Sequence, residues 1–199
     1  PINPPLNYIN FKRAKGEFIA MCDGDDYWED NLKLEKQVNK MIEYPNINVS
    51  FHGLFIENHK KNIRFKKLIS KKLKIYKTSK IIFFHHRLYT STVTMMIRKG
   101  LIKDLPEFYK KVPTEDFYLL IFGSLRGGAL YIPEVLSVYN LYIPNSWSTK
   151  KRNPYHYLYN VFTLGKLMKF LNFRLFLPIT FVIIEFYLKY LILKIFNKF

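Results

Sequence analysis

The chain has 199 residues, of which 49% are hydrophobic and 18% aromatic, which is enough for a packed core and too much for an intrinsically disordered protein. Its net charge of +17 indicates a polyanionic partner: a phosphorylated substrate, an anionic membrane surface or nucleic acid. Cys22 is the only cysteine, so an intrachain disulfide and an all-cysteine metal site are excluded.

The first part of the chain alternates between helix and strand patterns. Basic residues and a glycine at residues 11–16 are typical of the end of a helix. Residues 17–22 predict a short buried strand, and residues 31–44 have the spacing of an amphipathic helix. Residues 48–57 predict a second strand.

The middle of the chain continues this alternation. Residues 58–80 are strongly basic and predict a hairpin or a long surface loop, and residues 81–86 fit either a helix or a strand. Residues 90–98 are β-branched and apolar and predict a core strand. Residues 114–126 have helical spacing, and residues 129–142 supply one or two further strands. Strands and helices in alternation indicate an α/β fold.

The last part of the chain is the most apolar. Residues 155–172 predict a helix, and residues 173–196 are mostly Leu, Ile, Phe, Val and Tyr. Glu185 at the middle of a membrane span would cost roughly 2.5–3.5 kcal/mol, which favours a helix in the membrane interface or a helical hairpin that dips into it. Lys189 and Lys194 suit anionic lipid. The alternative is a helix that completes a soluble core.

Two acidic clusters are the candidates for chemistry. Asp23, Asp25 and Asp26 directly follow the first predicted strand, and carboxylates in such a turn suit a hard divalent cation. The alternative for this cluster is a solvated acidic turn. Glu115 and Asp116 begin the helix predicted at residues 114–126, where they are either catalytic or caps of the helix N-terminus.

Two motifs in order carry a resemblance to a known family. The string AKGEFIAMCDGDDYWEDNLKLEKQV at residues 14–38 resembles the glycosyltransferase family 2 pattern, in which a strand leads into an acidic metal motif and a helix. The string PTEDFYLLIFGSLRGGALYIPEVLSVYN at residues 113–140 resembles the second signature of that family, and NSWS at residues 145–148 resembles its common ending. The resemblance covers about residues 11–148.

The resemblance implies a fold and a domain organisation. The expected fold is α/β, with a GT-A-type mixed sheet flanked by helices. Residues 1–150 would form a partial GT-A glycosyltransferase domain, and residues 151–199 a C-terminal helical, membrane-associating segment. The family's nucleoside-binding strand pattern is not found in this sequence, so about 80 residues that carry it are expected ahead of Pro1.

The resemblance also assigns the first acidic cluster to the donor. Asp23 and Asp25 match the metal motif, so they are expected to hold Mg²⁺ or Mn²⁺ against the two phosphates of a nucleotide-diphosphate sugar, with Asp25 as the main ligand. Asp26 is expected to position a water molecule or the sugar, and Trp28 to lie beside the donor. A cation there would stabilise the charge that develops on the departing nucleoside diphosphate.

The second cluster and the end of the motif are assigned to transfer. Asp116 matches the general base that takes the proton of the acceptor hydroxyl, and Glu115 is the second candidate for that role. Trp147 is a candidate for acceptor binding. The sequence departs from the family pattern at Asn140 and Tyr142, where many relatives have Arg and His, so a phosphate or metal contact there is not expected.

These observations predict a metal-dependent, inverting glycosyltransferase that moves a sugar from a nucleotide-diphosphate donor to a surface-glycan or lipid-linked acceptor. Its predicted location is the cytoplasmic face of the cell membrane, as a peripheral or monotopic protein on the anionic surface. The alternative is a non-catalytic, membrane-peripheral remnant of a glycosyltransferase that acts as a binding protein. Nucleic acid is not expected as a partner, because the basic residues are scattered and no nucleic-acid-binding module is recognised.

Overall fold

The computed structural model describes residues 6–84, 90–112, 114–146, 148–150 and 153–196. In this part of the chain the strands are β1 (Phe18–Ala20), β2 (Tyr27–Trp28), β3 (Val49–Asn58), β4 (Ile63–Lys67), β5 (Lys74–Tyr76), β6 (Met96–Arg98) and β7 (Ala129–Leu141). The α-helices are α1 (Leu6–Arg13), α2 (Lys33–Glu43), α3 (Thr78–Phe83), α4 (Leu101–Asp104), α5 (Glu115–Ser124), α6 (Pro154–Met168) and α7 (Phe176–Phe196). Short 3₁₀ turns cover Thr92–Thr94, Glu107–Lys111 and Phe173–Leu175.

All of these strands belong to one mixed sheet, with the order β1-β6-β3-β7-β2 along its main path. Strands β3 and β7 are parallel and form its longest ladder, from Val49 opposite Ala129 to Asn58 opposite Leu141. Their register shifts on both sides of Gly53, and such irregularities bend a sheet and increase its twist. The mixed, curled sheet with flanking helices confirms the predicted α/β fold class.

The neighbours of the two long strands change along their length. The first residues of β3 pair with β6 and the last with β4, while β7 pairs first with β5 and then with β2. Nearly every residue of β3 is buried, which is typical of a strand covered on both faces. Helix α2 covers one face, where Gln37 donates hydrogen bonds to the Ser50 hydroxyl and to the carbonyl of Thr94.

Helices α5, α6 and α7 supply much of the core. Gly123 of α5 lies so close to β3 that a Cβ atom added to it would meet the Val49 side chain at 2.7 Å. Leu164 of α6 and Ile179 of α7 are fully buried in the same hydrophobic cluster as Phe51 of β3. Helices α6 and α7 pack against each other, and α7 also packs against α3. The division into residues 1–150 and 151–199 stays a prediction.

The structure corrects one predicted strand and decides two open choices. Of the strand predicted at residues 90–98, only Met96–Arg98 pairs in the sheet, because Thr92–Thr94 forms a 3₁₀ turn in which the Thr94 hydroxyl donates to the carbonyl of Ser91. Within residues 58–80, β4 pairs antiparallel with β3, as expected of a hairpin. The described part of residues 81–86 belongs to α3 and the turn after it, while His85 and His86 lie outside the described residues.

Candidate active site

The acidic loop, residues 21–26, connects two strands that are far apart in the sheet. It leaves β1 at one end of the main strand order and enters β2 at the other, so it crosses the strands between them. The backbone amide of Asp26 donates to the carbonyl of Asp23 at 3.1 Å, which closes a tight turn at Gly24. A Cβ atom added to Gly24 would meet no atom within 4 Å, so this turn leaves room for a side chain at that position.

Asn140 fastens the acidic loop to the end of β7. Its backbone amide donates to Oδ1 of Asp26 at 2.8 Å, and its side-chain Nδ2 donates to the carbonyl of Asp25 at 2.7 Å. The remaining side-chain oxygen lies 2.8 Å from Nε2 of His59. Because an amide oxygen only accepts, His59 must carry a proton on Nε2 to complete the contact. Two of these hydrogen bonds therefore hold the acidic loop against β7, and the third joins Asn140 to His59, which follows β3.

The cleft beside this loop brings the two acidic clusters together. Its volume is about 290 Å³. The lining residues come from the acidic loop, the turn before β6, the start of α5 and the region that follows β7: Asp23, Asp25, Ser91, Thr92, Thr114, Glu115, Asp116, Tyr139, Ser146 and Ser148. Asp23 and Asp25 thus share one cavity with Glu115 and Asp116, although about 90 residues of chain separate the two pairs.

The surroundings of Asp116 raise the pKa of its carboxyl group. The pKa of Asp116 is raised to about 6 as the net result of three effects: desolvation raises it most, the backbone amide of Phe117 lowers it through a 2.8 Å hydrogen bond to Oδ1, and the negative charge of Asp23 raises it. A carboxylate with this pKa is ionised at neutral pH and binds a proton more readily than an ordinary aspartate. Asp116 lines the cleft, and the Thr114 side chain does not cap the helix.

The two other aspartates of the loop differ in their surroundings. Partial desolvation in the cleft raises the pKa of Asp23, the Thr92 hydroxyl lowers it through a hydrogen bond, and the charge of Asp25 raises it. Desolvation raises the pKa of Asp26 to about 7, against the lowering effect of the Asn140 amide. Asp26 does not line the cleft, and among the described residues its Oδ2 has no hydrogen-bond partner.

Trp28 lies outside the cleft wall. Its ring stands over the ammonium group of Lys33, with Nζ 4.1 Å from the ring centroid, and Lys33 itself is only 1% exposed. Burial lowers the pKa of Lys33 to about 8. Trp28 therefore lies against the start of α2, and its predicted contact with the donor stays a prediction. Trp147 lies outside the described residues.

The donor set of the cleft fits a divalent cation that shares its ligands with a substrate. Within the described parts of the chain, no group of three or more His, Cys, Asp or Glu side chains is arranged to hold a metal ion alone. Mg²⁺ is commonly bound by one or two carboxylates together with water and substrate phosphates. Asp23 and Asp25 supply two carboxylates on the same wall of the cleft.

Sequence reasoning found the two acidic clusters and missed the residues that support them. Asn140 was recognised only as a departure from the family pattern, and His59 gave no signal. Ser91, Thr92 and Ser146 also line the cleft. Hydroxyl residues are too frequent in loops to identify a site from one sequence, so only the fold reveals them.

The family model described as "Glycosyl transferase family 2" matches residues 9–105. Uncharacterised proteins of Mycobacterium bovis and Mycobacterium tuberculosis are 30% identical to the chain over 147 residues. That alignment covers 70% of this chain and 40% of each relative, so the chain spans less than half the length of the curated relatives it matches.

A solved structure gives the same fold. The crystal structure of S. aureus TarS 1–349 in complex with UDP-GlcNAc superposes with a TM-score of 0.59 and 16% sequence identity, over 83% of this chain and 46% of that one. TarS has the GT-A architecture, and the mixed sheet and its flanking helices match it. The chain therefore has the GT-A fold, and the match at residues 9–105 supports a glycosyltransferase family 2 protein.

Proposed function

We propose that the protein transfers a sugar from a nucleotide-diphosphate donor to a hydroxyl group of an acceptor, with inversion at the anomeric carbon. The observation that carries this proposal is the single cleft with Asp23 and Asp25 on the wall formed by the acidic loop and Asp116 at the start of α5. An inverting displacement needs the leaving group and the general base on opposite sides of the reacting carbon. Two acidic clusters on different elements around one cavity suit that requirement.

Asp116 is the proposed general base. In the reaction the acceptor oxygen forms a bond to the anomeric carbon, the bond to the diphosphate oxygen breaks with its electron pair, and the acceptor proton moves to the Asp116 carboxylate. The pKa of about 6 keeps this group ionised at neutral pH while strengthening it as a base. Glu115, the neighbouring cleft residue, is the second candidate.

Asp23 and Asp25 are the proposed ligands of Mg²⁺ or Mn²⁺. A bound cation would neutralise the charge that develops on the leaving diphosphate. Asn140 holds the carbonyl of Asp25 and the carboxylate of Asp26, so it sets the position of the loop that presents the two ligands. Asp26 is proposed to act through loop structure rather than on the donor, because it does not line the cleft.

The class of donor is supported by the structural neighbour. TarS was crystallised with UDP-GlcNAc, which is a nucleotide-diphosphate sugar. We extend to this protein only the class, since the likeness of 16% identity concerns the fold. The proposed acceptor is a surface glycan or a lipid-linked precursor.

A membrane location is supported by an unusual face of the C-terminal helix. In the described part of the chain one helical segment, Phe173–Phe196, is long and apolar enough to cross a membrane. The apolar stripe runs along its outer side at intervals of three and four residues, and each member is more than half exposed: Phe173, Leu177, Phe181, Ile184, Leu188, Ile192 and Ile195. Such intervals place all seven on one side of a helix.

The opposite side of the same helix is buried in the domain. Ile179 and Val182 belong to the hydrophobic core, and the helix packs against α3 and α6. A helix fixed to the domain along one side suits a position in the plane of the membrane interface, with the apolar stripe toward the acyl chains. Exposed Lys166, Lys169 and Arg174 nearby in the chain suit anionic headgroups. We therefore propose a monotopic protein at the cytoplasmic membrane face.

A donor screen tests the catalytic proposal. The intact protein is incubated with Mn²⁺ and a panel of UDP-, GDP- and dTDP-sugars, and release of nucleoside diphosphate is measured with and without EDTA. Asp25→Ala should lower metal-dependent release by at least about 100-fold, because a ligand of the charge-stabilising group is lost. Glu35→Ala is the matched control, since it removes an exposed carboxylate from α2 outside the cleft.

Two results would contradict the proposal. Equal release by Asp25→Ala and the unmodified protein would reject the metal assignment. No release from any donor, with the protein folded and Mn²⁺ present, would instead favour the non-catalytic binding protein.

A further inference from the structure

Tyr142 has a backbone conformation that its side chain disfavours. Among the described residues, three that are not glycine have positive φ: Asn62 at 51°, Tyr142 at 67° and Asn145 at 65°. Asparagine tolerates this left-handed region, whereas a bulky aromatic residue there is a strained outlier. The strain at Tyr142 therefore requires an explanation that the two asparagines do not.

Neighbouring polar groups hold Tyr142 in this conformation. Its backbone amide donates to the Ser148 hydroxyl at 2.8 Å, and the hydroxyls of Ser146 and Ser148 lie 2.8 Å apart. Packing of the ring does not account for the strain, because Tyr142 is 38% exposed, whereas Tyr131 of the same region is fully buried in the core. The segment around Tyr142 thus exposes an aromatic ring to solvent although the backbone conformation at that residue is strained.

The exposed ring lines a second cavity beside the cleft. This cavity, the Tyr142 pocket, has a volume of about 420 Å³. It is lined by His59, Lys60, Tyr142, Ser148 and Thr149. Ser148 lines both the Tyr142 pocket and the cleft, so the two cavities adjoin. The lining combines an aromatic face with hydroxyl, imidazole and ammonium groups.

We propose that the Tyr142 pocket is a carbohydrate subsite that holds a sugar ring of the acceptor against the Tyr142 side chain. The C–H face of a pyranose packs on an aromatic ring, while its hydroxyls need the kind of hydrogen-bonding groups that Ser148 and Thr149 supply. Tyrosine gives a large, rigid contact at low entropic cost.

The position of the Tyr142 pocket beside the cleft indicates whether it holds the sugar of the donor or that of the acceptor. In the proposed function the transferred sugar lies in the cleft, between Asp25 and Asp116. The acceptor hydroxyl must enter that same cleft, so the rest of the acceptor extends out of it, and the Tyr142 pocket lies just across Ser148. Only this assignment to the acceptor rests on the proposed function, because binding of a sugar to the pocket needs no donor, metal or turnover.

Saturation-transfer NMR of the unmodified chain with four methyl glycosides tests the proposal, using those of glucose, galactose, N-acetylglucosamine and glucuronic acid. At least one should receive saturation from the protein. Tyr142→Asn should reduce that signal at least fivefold while the chain becomes equally or more resistant to heat, because asparagine tolerates the positive φ. Tyr142→Phe, which keeps the ring, should retain the signal.

A control variant shows whether the signal comes from the Tyr142 pocket, and three results would overturn the proposal. Tyr155→Asn removes an exposed ring on α6 that lines neither cavity, and it should leave the signal unchanged. Equal signals from Tyr142→Asn and the unmodified chain would overturn the proposal, as would no signal from any of the four glycosides. Displacement of the bound glycoside by UDP with Mn²⁺ would assign the pocket to the donor and overturn it too.

Discussion

The acidic loop is held by directional hydrogen bonds, whereas the C-terminal helices are held by apolar packing. Asn140 alone makes two hydrogen bonds to the loop and a third to His59, which follows β3. In contrast, α7 is joined to the domain through side chains such as Ile179 and Val182, which are fully buried. The two regions therefore depend on different physical terms.

This difference determines which substitutions disturb each region. A hydrogen bond depends on distance and angle, so replacement of one atom group can displace the loop. Apolar packing is non-directional, so α7 tolerates volume-conserving changes on its inner side, but its outer stripe remains exposed to water. The loop suits precise positioning of charge, and the helix suits contact with an extended apolar surface.

The largest effect is expected at the base. Asp116→Asn removes the proton acceptor and should lower sugar transfer by about 10²–10⁴-fold, the usual range for loss of general base catalysis. Binding of the donor, measured by calorimetry, should change little, because Asp23 and Asp25 are intact. Asp104→Asn, an exposed position on α4, serves as the control. Normal transfer by Asp116→Asn would remove Asp116 from the mechanism.

A large effect is also expected when charge is placed on the apolar stripe. Leu177→Glu combined with Ile184→Glu should weaken binding to vesicles of phosphatidylcholine and phosphatidylglycerol by at least about 100-fold, since about 1.5–3 kcal/mol of apolar burial is lost at each position. Flotation of protein with vesicles measures this. Thr180→Glu, exposed on the flank of α7, is the control. A dimer that the double substitution dissociates, without vesicle binding, would assign the stripe to a second copy of the chain.

A smaller effect is expected where the loop is fastened. Asn140→Ala removes two side-chain contacts and should lower stability by about 1–3 kcal/mol. It should also weaken Mn²⁺ binding about tenfold, the lower end of the effects seen for groups that orient metal ligands. Thermal unfolding and paramagnetic resonance of free Mn²⁺ measure the two effects. Asn39→Ala, exposed on α2, is the control, and unaltered Mn²⁺ affinity would limit Asn140 to a structural role.

The smallest effect concerns the buried cation under Trp28. The pKa of Lys33 is about 8 in the folded chain against its ordinary 10.5, so between these pH values the unfolded chain binds a proton that the folded chain does not. Stability therefore rises with pH from about 8 to 10.5, and the cost of charging Lys33 is constant below that window. Lys33→Met should add about 1–2 kcal/mol at pH 7, after loss of the contact with Trp28.

Thermal unfolding at several pH values measures this difference. The advantage of Lys33→Met over the unmodified chain should shrink as the pH rises through the window, because the penalty on charging Lys33 disappears. An advantage that is the same at pH 7 and pH 10 would show that Lys33 does not titrate as proposed.

Local patterns predicted much of the secondary structure and both acidic clusters. The amphipathic spacing at residues 31–44 gave α2, and the strand predicted at residues 48–57 is β3. The strand prediction failed at Thr92–Thr94, where side chains compete with backbone groups for hydrogen bonds. The Thr94 hydroxyl bonds to the carbonyl of Ser91, and this favours a turn over the hydrogen bonds of a sheet.

The supporting residues were beyond the reach of the sequence, because their contacts join distant parts of the chain. Asn140 and Asp26 are separated by 114 residues, and His59 and Asn140 by 81. A single sequence carries no signal for such pairs, since their side chains are ordinary for loops and strand ends.

The sequence by itself determined the local features on which the family resemblance depends: carboxylates after a buried strand, an acidic pair at a helix start, and an apolar C-terminal segment. Short-range periodicity and residue type suffice for these features. Only the tertiary structure decided that the two acidic clusters face one cleft, that Asn140 and His59 fasten the loop, and that α7 buries one side while exposing the other. These features depend on how the sheet curls and which strands become neighbours, and long-range packing sets both.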